Sequence, residues 1–179
     1  KTEQPFLVYY PMILTHCPFV PTPHSEDWDP TSAGSPTHKG DKAYFGDMVE
    51  YVDHLVGKIE AELERHGLLE NTYLIFTGDN GTDRTVVSML KGEPFPGRKG
   101  TLTNGGTHVP LIVSRPGNVP AKLHNDLIDF SDFLPTFCEI AVSSTDGLTL
   151  DGTSFLPQLL GEAGKPRRFV YCWYNRDMT

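Results

Sequence analysis

The 179-residue sequence predicts an α/β fold, a mostly parallel sheet flanked by helices, and three observations carry that prediction. Short apolar runs closed by proline or glycine read as buried strands at residues 6–10, 73–76 and 110–114. Between the first two, apolar residues recur at three- and four-residue steps, the spacing of an amphipathic helix. Strand, long helix and strand in that order make a βαβ-like unit with parallel strands.

Taken in order, Phe6-Leu7-Val8-Tyr9-Tyr10 is the first strand, and Pro11 ends it by removing a ladder donor. A loop rich in Pro, Thr, Ser and His follows to Gly40 and carries His16 close after the strand end. Phe45, Met48, Val49, Val52, Leu55, Val56, Ile59 and Leu63 mark the helix across residues 41–65, with Asp41 as its N-cap and Gly67 as its stop. Glu50, Lys58, Glu62, Glu64 and Arg65 form its solvated face. Tyr73 to Phe76 is the second strand, and a long irregular segment, residues 82–108, comes after it. Residues 110–114 extend the sheet. A second helix is expected over residues 129–141, interrupted near its start by Pro135, then a short third helix over 153–160 and a last strand over 169–174.

Composition narrows the function classes. A hydrophobic content of 38% with 11% aromatic residues is that of a globular protein, neither disordered nor fibrous. A formal charge of -8, with no Lys/Arg cluster forming a basic stripe, argues against a nucleic-acid partner. No apolar run approaches the roughly 20 residues of a membrane helix. Cys17, Cys138 and Cys172 lie far apart in no zinc-binding spacing, so one pair could bridge and the compartment stays open. The chain opens at Lys1 without methionine and runs at once into its first strand, which reads as a cut through a longer protein.

The chemistry gathers around TYLIFTGDNG. Its apolar run stops at Gly78-Asp79-Asn80-Gly81 and so presents a carboxylate and an amide oxygen at a strand's carboxyl end, where α/β sheets keep ligands. That pair suits a hard divalent cation, Ca²⁺ or Mg²⁺, although Asp-Asn-Gly is also an ordinary turn. Gly97-Arg98-Lys99-Gly100 offers two cations on flexible backbone, an anion site or a solvated turn.

The succession of THCPFVPT, TGDNG, GRKG, NGGTHVPLIV, DFLPTFCEIA and DGTSFLPQLLG resembles the type I, formylglycine-dependent sulfatases of the alkaline phosphatase superfamily. The likeness covers nearly the whole chain and corresponds to the middle and later part of that catalytic domain. It implies that residues 1–179 are one portion of a single catalytic domain, part of an alkaline-phosphatase-like sandwich, lacking the N-terminal part with the nucleophile. By this resemblance Asp79 and Asn80 supply half of a Ca²⁺ or Mg²⁺ site, Lys99 contacts the sulfate ester oxygens, and His16 contacts sulfate or its leaving oxygen. His108, which stands where many relatives have arginine, lines the pocket or is structural; TNGG stands where many have YEGG. The substrate implied is a sulfated sugar or aryl sulfate. A periplasmic or secreted location is suggested by the resemblance alone. Asp79 and Asn80 are expected to share one coordination point, with His16 and Lys99 pointing into the same cleft and Asp83 the first candidate for a further ligand.

The family's nucleophile is a formylglycine made from cysteine or serine in a C/S-x-P/A-x-R motif, and this chain holds none. Cys17 has Pro21 where arginine is required, Cys138 has Val142, and Cys172 has Tyr174 at the proline or alanine position. The formylglycine is therefore expected in the part of the domain that precedes this chain. Two other readings stay open, a phosphodiesterase or phosphonate hydrolase of the same superfamily and a non-catalytic binding relative.

Overall fold

The computed structural model describes residues 4–174. Its longest element is α1, Phe45–Arg65, reached through a single 3-10 turn over Lys42–Tyr44 that Asp41 caps by accepting from the Ala43 N–H at 2.9 Å. At the other end Gly67 takes a left-handed φ of 63°, which a side chain would strain. The Gly67 N–H then bonds the Glu64 carbonyl and the Leu68 N–H the Leu63 carbonyl, both at 2.8 Å, closing the helix with a Schellman motif. The expected polar face, Glu50 through Arg65, is exposed, and Met48 and Val52 are buried on the opposite side.

The chain forms two compact units, residues 1–61 with 83–97 and residues 62–82 with 98–179. The core of the first is Cys17, Phe19, Met48 and Val86, with Leu14 and Phe45 packed against it. Phe19 and Phe45 meet edge to face at 5.8 Å, the arrangement ring quadrupoles favour. This unit also holds a hairpin of β2, Val87–Leu90, and β3, Glu93–Pro96, inside the segment read as irregular. Its two-residue loop puts Lys91 and Gly92 at φ of 54° and 85°. Leu90 and Glu93 are the closing pair, so Pro94 and Pro96 occupy the alternate positions, whose N–H groups would point away from β2. Two prolines thereby fit a strand at no loss of ladder bonds.

In the second unit β1, Leu74–Thr77, pairs with β4, Leu111–Ser114, from Leu74 opposite Ser114 to Thr77 opposite Leu111. The pairing is antiparallel, which corrects the mostly parallel sheet expected from the sequence. A parallel neighbour requires a crossover, usually a helix, and between β1 and β4 there is only the hairpin and the four-residue α2, Asn104–Thr107. The described residues therefore show mixed helices and small antiparallel sheets. Residues 6–10 do not form a strand either: no strand among the described residues pairs with them, and exposure runs from 59% at Phe6 to 84% at Tyr9. Residues 169–174 are likewise without regular structure, so the last expected strand is absent.

The second helix begins as a 3-10 turn, Phe130–Asp132, and continues as α3, Phe133–Ile140. Pro135 does not interrupt it, because it lies in the first turn, whose N–H groups need no intrahelical acceptor. The short third helix is α4, Leu156–Leu159. All three cysteines are free, and no helix among the described residues is long and apolar enough to cross a membrane.

Candidate active site

The turn after β1 is built by glycines at near-contact distances. A Cβ on Gly81 would lie 2.0 Å from the Gly105 carbonyl oxygen, and the Gly81 N–H donates to the Gly106 carbonyl at 2.9 Å. Only glycine lets these backbones approach so closely. Gly106 is itself hemmed in, since a Cβ there would lie 2.3 Å from the Thr101 carbonyl and 2.6 Å from that of Arg98. The Arg98 N–H bonds the Gly105 carbonyl at 3.2 Å, and the Lys99 N–H bonds the Thr82 carbonyl at 2.9 Å.

These bonds join the Asp79-Asn80 turn, the Arg98-Lys99 turn and α2 into one interlocked piece. Lys99 is tied by its backbone to a residue two positions beyond Asn80, and His108 caps α2 by donating its N–H to the Asn104 carbonyl. Asp79 and His108 are exposed, while Asn80 and Lys99 are partly buried. Asp79, Asn80, Lys99 and His108 thus belong to the second unit, and His16 and Asp83 to the first.

His16 stands at an exposed corner, its N–H bonded to the Ile13 carbonyl at 2.9 Å. Its Nδ1 lies 2.7 Å from the Cys17 carbonyl oxygen. A carbonyl can only accept, so that contact assigns a hydrogen to Nδ1 and leaves Nε2 as the nitrogen for chemistry.

Asp83, the candidate further ligand, has both carboxylate oxygens engaged. One accepts from the Thr85 N–H and hydroxyl at 2.9 and 2.8 Å, and the other accepts from the Lys39 ammonium. Burial on its own would raise the Asp83 carboxyl, but Lys39 and Thr85 outweigh it and hold the group well below the usual carboxylate range. Lys39 was not singled out from the sequence, where 44 positions separate it from Asp83 and no motif connects the two.

A carboxylate beside an amide oxygen fits part of a Ca²⁺ or Mg²⁺ shell, since both are hard oxygen donors. Among the described residues no group of three or more His, Cys, Asp or Glu side chains could hold a metal ion, so the donor set here supplies a share of a shell and not a whole one.

Residues 1–143 match the Sulfatase family model. The chain is similar to arylsulfatase A of Homo sapiens, 31% identical over 173 residues that take in 96% of this chain and 32% of the human protein. Among solved structures it resembles PsFucS1 sulfatase from Pseudoalteromonas sp., with a TM-score of 0.59 and 34% identity across 73% of this chain and 27% of that one. It also resembles the phosphonate monoester hydrolase SpPMH from Silicibacter pomeroyi, with a TM-score of 0.57 and 27% identity across 71% and 24%. The chain spans about a third of the length of the curated relatives it matches.

Proposed function

This chain belongs to the sulfatase family, and on that premise we propose that the polypeptide it forms part of hydrolyses the sulfate ester of a sugar or aryl alcohol. The observation that carries the reading is the interlock of the Asp79-Asn80 turn with the Lys99 turn through Gly81, Thr82 and Gly106. It ties the backbone of the turn that would hold the cation to the backbone of the turn that would hold the anion, an arrangement that supports a metal-assisted ester hydrolase.

In this reading Asp79 and Asn80 hold part of a divalent cation, and the cation, when bound, neutralises ester charge as a Lewis acid. Lys99 pairs its ammonium with the non-bridging sulfate oxygens. In the reaction the bond from sulfur to the bridging oxygen breaks, and that oxygen leaves as the alcohol after gaining a proton. His16, with Nδ1–H committed to the Cys17 carbonyl, offers that proton from Nε2 when the ring is charged. His108 lines the substrate side. A formylglycine, expected outside this chain, would supply the attacking oxygen.

Turnover of p-nitrophenyl sulfate by the full-length protein tests the proposal, with p-nitrophenyl phosphate and phenyl phosphonate esters alongside. Sulfate ester hydrolysis whose kcat falls on the order of 10²-fold in Lys99→Ala and in His16→Ala, to a residual rate still above buffer, is the expected result. The likeness to a phosphonate monoester hydrolase favours one second reading, and a clear preference for the phosphonate ester would replace the first with it.

A further inference from the structure

Building on the reading that His16 meets the leaving oxygen, we propose that Lys39 and Asp83 form a positioning pair for His16. The His16 side chain is exposed, so its place is set by the two buried residues that follow it, Cys17 at 8% exposure and Phe19 at 2%. Phe19 is gripped in turn by the segment that carries Lys39. The Phe19 N–H donates to the Lys39 carbonyl at 2.8 Å, and the Asp41 N–H donates to the Phe19 carbonyl at 2.9 Å. Gly40 passes so close between them that a Cβ there would lie 2.0 Å from the Phe19 carbonyl oxygen.

From this segment the Lys39 ammonium reaches the Asp83 carboxylate. Asp83 is fixed by its bonds from Thr85 and, through its carbonyl, by the Val86 N–H at 3.1 Å. Val86 then returns to the cluster that holds Cys17 and Phe19. The contacts close a ring: Cys17 and Phe19, Lys39, Asp83, Val86, and the buried cluster again. The ion pair closes that ring at the surface, and the other links are backbone bonds and packing.

Magnitudes separate positioning from stability. The Lys39 side chain is 49% exposed, and an ion pair so open to solvent adds too little to stability for the fold to depend on it. A shift of about 1 Å in a reacting group, by contrast, costs on the order of 10²-fold in rate. Opening the ring therefore leaves the protein folded and displaces the histidine loop.

The experiment is a mutant cycle on the full-length enzyme with p-nitrophenyl sulfate. Lys39→Met is expected to lower kcat about 10-fold with KM within about twofold, and Lys39→Arg to stay within about threefold of wild type. In a His16→Ala background Lys39→Met should cost nothing further, because the pair acts through a side chain already removed. An unchanged melting temperature separates loop displacement from unfolding, and Lys39→Gln takes the place of Lys39→Met should the latter not fold. An enzyme that is active and His16-dependent yet indifferent to Lys39→Met, or that loses as much in the His16→Ala background, overturns the positioning role alone. A wild type inactive on sulfate esters, or a His16→Ala enzyme with full kcat, removes the underlying site reading and this inference with it.

Discussion

Replacing Asp132 by asparagine should destabilise the second unit more than any surface change, and the geometry sets the scale. Asp132 is 1% exposed and accepts four strong hydrogen bonds. Two come from the Arg167 Nε and Nη2, at 2.7 and 2.6 Å, and two from the Asp129 and Thr153 N–H groups, at 2.8 and 2.7 Å. Through them one carboxylate ties the start of α3 to Thr153 and to Arg167. Asparagine removes the charge from beside Arg167 and turns one acceptor into a donor that faces N–H groups. Removing one partner of a buried pair costs about 3 to 5 kcal/mol, and the 18% exposure of the Arg167 side chain lets water offset some of it, so about 3 kcal/mol is expected. For a chain of this size that is a fall of roughly 6 to 12 °C in melting temperature.

The pH dependence gives a second reading of the same contact. Burial alone would raise the Asp132 carboxyl, but Arg167 and the two N–H donors outweigh it and hold it below its ordinary value of 3.8. A carboxyl depressed in the folded state contributes stability that is fully present above its unfolded pKa and is lost as pH falls through the folded one. Wild type should therefore lose this contribution only below about pH 4, and Asp132→Asn should lack that part of the acid dependence. Urea unfolding at neutral pH and across the acid range measures both. A difference under about 1 kcal/mol at neutral pH, or identical acid profiles, would refute the buried-pair account; so would a failure of Asp132→Leu with Arg167→Leu to recover stability relative to Asp132→Asn.

The remaining expectations concern the site. Gly81→Ala should cost about 1 to 3 kcal/mol and abolish activity in the full-length enzyme, because its methyl would lie 2.0 Å from the Gly105 carbonyl. Gly78→Ala, whose methyl meets the Val109 side chain at an ordinary 3.5 Å, should stay within about 0.5 kcal/mol, and thermal melts compare the two. The 179-residue chain alone should hydrolyse no aryl sulfate above buffer even with calcium present, and activity that disappears on Cys172→Ala would relocate the nucleophile. Calorimetry on the same chain should find Ca²⁺ binding of about 10⁻⁴ to 10⁻³ M or weaker, since two ligands fall far short of the roughly 6 to 8 oxygens calcium collects. Asp83→Asn should leave that affinity unchanged because Lys39 and Thr85 already hold its carboxylate, whereas submicromolar binding would reveal missed ligands.

What the sequence determined by itself is what depends on neighbours within a turn or two. The three- and four-residue spacing of Phe45 through Leu63, the Asp41 cap and the Gly67 stop mark out α1 together with the 3-10 turn that leads into it, because helix bonds and caps are local. The position of Asp79 and Asn80 just past a strand was legible for the same reason, since a short apolar run ending in glycine is a local signal. Strand direction was not, because the runs at 74–77 and 111–114 look alike in either orientation and only the connection between them selects the antiparallel pair. Residues 6–10 carry every mark of a strand and pair with no strand among the described residues, since an apolar run becomes a strand only when another edge supplies its hydrogen bonds. The hairpin escaped because proline normally argues against a strand, and whether Pro94 and Pro96 face into the ladder or away from it is decided by register. Lys39 with Asp83 and Asp132 with Arg167, 44 and 35 positions apart, are pairs that no spacing rule connects; the folded chain brings them together because burial of Phe19, Val86 and Phe155 leaves their charges facing each other.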